Sequence, residues 1–65
     1  MTVVESMKQA VRRLRRGTYS IVECETELAR LIAEETGHIE DVDERIAAER
    51  KLKRRAWRML LDATR

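Results

Sequence analysis

Proline is absent from this 65-residue chain, and glycine occurs only at Gly17 and Gly37. With so few helix breakers and a large share of Glu, Arg, Leu, Ala and Lys, the composition favours long helices over sheet. Cysteine occurs once, which excludes a disulfide within the chain. Cys24 and His38, the only residues of their types, lack the spacing and the number of ligands for a tetrahedral zinc site. No metal and no cofactor is therefore expected. A lone thiol fits a reducing compartment, and the expected location is cytoplasmic. Long apolar runs are missing as well: none approaches the ~20 residues that a membrane span requires. The opening Met-Thr-Val-Val-Glu is not the basic start and apolar core of a signal peptide. No membrane association is expected.

These exclusions bear on stability. A chain of this length makes one domain at most, here residues 1–65, and buries little core. Small domains usually rely on disulfides, a metal or oligomerisation. With the first two excluded, regular helix packing reinforced by self-association is expected, with a homodimer as the simplest assembly. Charged residues make up 40% of the chain, but their clear periodicity argues against disorder.

Charge is arranged in three blocks. Residues 1–22 hold five bases (Lys8, Arg12, Arg13, Arg15, Arg16) and one acid, Glu5. Residues 23–49 hold ten acids and two bases, and residues 50–65 hold seven bases and one acid. A total of +2 thus conceals a basic–acidic–basic molecule.

The glycines divide the chain into three helices. Val3, Val4, Met7, Val11 and Leu14, with Ala10 beside them, form one apolar stripe of a helix over about 3–16. Its terminal arginines suit the helix dipole, and Gly17 suits a C-terminal cap. Ser20-Ile21-Val22-Glu23 reads as a capping box, with Tyr19 placed to staple onto Cys24. A second helix over about 20–36 follows, with Ile21, Cys24, Leu28, Leu31 and Ile32 on one side and a stop at Gly37. Because Tyr, Ile and Val favour strands, Tyr19–Cys24 also admits a short strand. The third helix is the longest, over about 39–63.

That third helix carries two stripes at 100° per residue. Ile39, Val42, Ile46, Trp57, Leu60 and Leu61 share one side, broken in the middle by Glu49, Arg50 and Lys53. Ala48, Leu52, Ala56, Met59 and Ala63 form the other. Short connections predict an all-α, three-helix antiparallel arrangement. The last turns of the third helix should overhang its shorter neighbours. Leu52, Trp57, Met59, Leu60 and Leu61 are accordingly the expected interface residues, since a large apolar patch is rarely left to water.

Catalysis finds little support. Cys24 and His38 would lie ~20 Å apart on the predicted helices, beyond the reach that a nucleophile and its base require. Neighbouring carboxylates such as Asp41 and Glu44 lack a pocket to raise a pKa. The chain also has little room for a cleft of the usual ~300–1,000 Å³. No enzyme activity is expected.

The segment 50–58 holds six cations, Arg50, Lys51, Lys53, Arg54, Arg55 and Arg58, together with Trp57. It could contact DNA or RNA, extended by Arg12, Arg13 and Arg16. The alternative is a solvated helix end in which Trp57 is a packing anchor. A helix-turn-helix is disfavoured, because the would-be recognition helix opens on Glu40, Asp41, Asp43 and Glu44, which phosphates repel. A ribbon-helix-helix would leave the first helix unexplained and put Glu23 in the ribbon. The acidic block is either solvated surface, or paired with basic segments of its own chain or a second copy, or aimed at a basic partner. The expected function is a small regulator or adaptor acting by helix-mediated association with itself and another protein, and nucleic-acid binding is the rival.

Overall fold

The computed structural model covers residues 1–65. It contains three helices and no strand: α1 (Val3–Arg15), α2 (Ile21–Thr36) and α3 (Val42–Ala63). The segment Tyr19–Cys24 forms no strand: Tyr19 lies in the turn, Ser20 is the cap and Ile21–Cys24 open α2.

Each helix begins at a side-chain cap. Thr2 accepts from the Glu5 backbone N–H at 3.2 Å. Ser20 and Glu23 form the reciprocal capping box, with the Glu23 N–H donating to Ser20 Oγ at 3.2 Å and the Ser20 N–H donating to Glu23 Oε1 at 3.1 Å. Asp41 accepts from the Glu44 N–H at 3.0 Å. That third cap corrects the expected start of the last helix from Ile39 to Val42. An Asp side chain that satisfies a free N–H competes well against extending the helix by another turn. Ile39 instead closes the connection, its N–H donating to the Thr36 carbonyl at 3.1 Å.

The two glycines end their helices differently. Gly17 follows the last turn of α1 with φ +81°, the left-handed conformation that a helix C-terminus favours. Gly37 caps α2 at an ordinary φ of −63°. There the constraint is space, because a Cβ would stand 3.0 Å from the Ala33 carbonyl oxygen.

The core is small and draws on all three helices. Met7, Ala10 and Val11 of α1 meet Cys24, Leu28 and Ile32 of α2 and Ala56 and Leu60 of α3. Val3, Leu14, Tyr19, Leu31, Leu52, Met59 and Ala63 pack around that cluster. Thr36 is the one buried polar residue, and its hydroxyl donates to the Ile32 carbonyl at 2.8 Å.

α3 turns its second stripe to the core and leaves the first largely uncovered. Ala56 is buried and Leu52, Met59 and Ala63 are packed, whereas Val42, Ile46, Trp57 and Leu61 are exposed. Among first-stripe residues of α3, Leu60 alone is buried. The C-terminal turns therefore lie on the core and do not overhang. The less supported end is the N-terminal one, since no α3 residue before Leu52 packs on the core.

Candidate functional site

α2 and α3 form the walls of an open groove of about 730 Å³. The α2 wall consists of Glu25, Leu28, Ala29, Ile32 and Ala33. The α3 wall consists of Glu49, Lys53, Arg54, Ala56, Trp57 and Leu60. Seven of these eleven residues are apolar, so the walls and floor are greasy while the four charged groups sit among them as points. The groove revises the expectation that so short a chain has little room for a cleft, although it is open and not enclosed. Three helices packed on one small core leave a valley on the side where a fourth would sit.

The rest of the groove face follows from helical geometry. At 100° per residue, Val22 falls on the side of α2 that carries Ala29 and Ala33. Val42, Ile46 and Leu61 fall on the side of α3 that carries Trp57 and Lys53. Ile21 lies one turn before Glu25 on α2. Six of the seven exposed large apolar residues thus belong to this face, Met1 being the exception.

The five expected interface residues separate in this geometry. Trp57, 60% exposed, and Leu61, 48% exposed, are free for contact. Leu60 forms part of the groove floor and of the core. Leu52 packs on the core from α3. Met59 faces α1, across a smaller groove of about 210 Å³ that also involves Lys8, Val11, Arg12, Arg15 and Asp62.

That smaller groove sets the C-terminal turn of α1 beside the C-terminal turns of α3. Arg12 and its neighbours thereby lie toward the end of α3 that follows Arg58, while Arg50, Lys51 and Lys53 lie near the middle of that helix. Arg12, Arg13, Arg16, Arg50, Lys51, Lys53, Arg54, Arg55 and Arg58 are all exposed. None of them pairs with a carboxylate. The ion pairs of the molecule are those of Arg30 with Glu27 and Glu34, within α2. No side chain of the basic blocks is within ion-pair distance of the acidic block. The interaction between them is limited to the Glu27 carboxyl, whose pKa the Arg30 hydrogen bond lowers and the charge of Arg13 lowers further. Arg13 has a different partner: its Nη1 donates to the Tyr19 hydroxyl at 2.8 Å, and its guanidinium carbon lies 5.3 Å from the ring centroid.

Cys24 and His38 do not meet. The Cys24 thiol is buried between α1 and α2 and donates to the Ala10 carbonyl, with Sγ 3.6 Å from the oxygen. Burial, with a smaller push from Glu25, raises the thiol above its ordinary pKa of 9.0, which disfavours the nucleophilic thiolate. His38 is exposed just beyond the far end of α2. No three His, Cys, Asp or Glu side chains are grouped to hold a metal ion. No helix is long and apolar enough to cross a membrane.

No protein-family model, no curated protein and no solved structure matches this chain.

Proposed function

We propose that this protein is a small non-enzymatic adaptor or regulator that acts by helix-mediated association, with the α2–α3 groove as its docking surface. The observation that carries this reading is the largest side chain of the molecule, Trp57, standing 60% exposed on the wall of an apolar groove. Small residues opposite it, Ala29 and Ala33, permit a close approach by another helix backbone. Seven of its eleven lining residues are apolar, which suits the apolar face of a helix.

Trp57 is the sole tryptophan and reports directly on the groove. Its emission is followed across protein concentration, and then with a synthetic amphipathic helix bearing a leucine stripe flanked by glutamates. A blue shift with either is expected. Emission that neither treatment moves removes the reading. Leu60→Ala is unsuitable as a test, because Leu60 also holds the core.

Nucleic-acid binding is a second reading, favoured by nine exposed cations without carboxylate partners at the end of α1 and along α3. Anisotropy of labelled duplex DNA and single-stranded RNA, at low and physiological salt, tests it. Under this reading Arg54→Ala and Arg55→Ala each weaken binding across sequences and lower the salt slope by about one. Binding that vanishes with modest salt sets it aside.

A further inference from the structure

From the groove and its charge pattern we infer that the occupant is a second copy of this chain. The two copies face each other groove to groove about a two-fold axis parallel to the helices. This rests on the docking role proposed for the groove and adds the identity and orientation of what fills it.

Charge supplies the first argument. On the groove wall α2 presents one charge, the acid Glu25, which has no cation within ion-pair distance, whereas Glu23 and Glu34 fall on the opposite side of the helix and Glu34 already pairs with Arg30. The α3 wall carries the cations Lys53 and Arg54 beside Glu49, with Arg50 on the same side of the helix, and none of the three cations is paired. A two-fold parallel to the helices lays α2 of one copy over α3 of the other, acid over base, twice. A two-fold across the helices would instead lay α3 on α3 and bring Arg50, Lys53 and Arg54 against their own copies. Only the first orientation is complementary.

Apolar content supplies the second. Facing grooves bring Val22, Ala29 and Ala33 of α2 onto Trp57 and Leu61 of the other α3. The result is a four-helix layer of α2, α3 and their counterparts, with α1 of each copy outside it. Helix directions agree, because α2 and α3 are antiparallel within the chain and a two-fold along them preserves that relation between copies.

Size supplies the third. The molecule extends 38 × 20 × 19 Å, so its long face is of the order of the ~800 Å² per partner that a standard interface buries. Only nine of 65 residues are buried in the single chain, which leaves much stability to be gained by covering this face.

Sedimentation from micromolar to submillimolar concentration is the first arm of the test, and a dimer mass is expected. Trp57→Asp, at a position exposed in the single chain, should leave helix content unchanged and weaken the dimer by about 30-fold or more, as loss of an interface anchor does. The second arm fixes the orientation with two single-cysteine proteins on a Cys24→Ser background, where the hydroxyl keeps the donor to Ala10. One carries Ala33→Cys on the rim of α2, the other Arg54→Cys on the rim of α3. These positions point to opposite outer sides of one groove but meet between copies. On mixing in equal amounts, the 33–54 disulfide should exceed each homodisulfide by well over the twofold that random pairing gives. A monomer throughout the concentration range overturns the inference, as does a dimer whose disulfides form at the random ratio or favour the homodisulfides. A monomer whose Trp57 emission still shifts with the acidic helical peptide gives the groove to another protein: the second copy is then refuted while the docking role stands.

Discussion

At the residue scale, the same chemistry that gives Cys24 a place in the core takes away its reactivity. Cysteine behaves as a small apolar residue when buried, and here its weak S–H donor also finds the Ala10 carbonyl. Burial raises its pKa above 9.0 in the folded chain, so the native state holds this proton where the unfolded state releases it. The sign follows: stability from this group is intact below pH 9.0 and declines as pH rises past that value. Two measurements check this. Reaction of the native thiol with a disulfide reagent at neutral pH should be slow and limited by opening of the fold, whereas the urea-unfolded chain reacts at once. Urea midpoints taken across alkaline pH should fall for the wild type more steeply than for Cys24→Ser. Equal slopes would deny the thiol any part in alkaline destabilisation.

At the scale of the element, local rules and tertiary packing divide the explanation between them. Gly17 stands in the left-handed region at φ +81° with nothing within 4 Å of where a Cβ would point. The penalty of adding one is therefore backbone strain alone. Gly17→Ala should destabilise by about 1 kcal/mol in chemical denaturation, with no change in oligomeric state. A neutral result would mean that the α1–α2 turn has another conformation available. The capping box at Ser20–Glu23 and the stripes of α1 and α2 were legible in the sequence because each depends on residues within one or two turns. The Asp41 cap was equally local, an Asp-x-x-Glu spacing at 41–44 that the apolar pattern reaching back to Ile39 obscured. The facing of α3 was not settled by periodicity, since both stripes are helical. Physical cost decides it. Turning the Ile46–Trp57 stripe inward would bury Glu49 and Lys53 without partners, which is far more costly than leaving a few apolar groups in water. The alanine-rich stripe has no such interruption from Ala48 to Ala63. Its small side chains also let α3 approach α1 and α2 closely enough for Met7 and Leu28 to fill the centre. The candidate site was half legible for the same reason. Trp57 and Leu61, expected from the sequence as contact residues, stand exposed, while the groove itself required knowing that α3 had turned its larger stripe away from the core.

At the scale of the whole molecule, a small core and an uncovered face belong together. Eight apolar residues form the core, and the six large apolar side chains on the α2–α3 face approach that number outside it. The single chain therefore folds with thin reserves, and anything that binds the native state and not the unfolded one adds to them by mass action. Association through the groove predicts a melting temperature that rises with protein concentration. For a domain of this size, about 1 kcal/mol of added stability shifts the midpoint by ~4–8 °C. Heating scans over a hundredfold range of concentration should show an upward shift for the wild type. Trp57→Asp should hold its midpoint constant, near the value that the wild type reaches at the dilute limit. Salt separates the contributions. Because the proposed contact sets Glu25 of α2 against Lys53 and Arg54 of α3, added salt should flatten the concentration dependence by screening these charges. It should leave the dilute-limit midpoint nearly unchanged, since the only ion pairs within the chain are the exposed ones of Arg30. A midpoint independent of concentration for the wild type would instead place all of the stability inside one chain, held by its eight-residue core and its three helix caps.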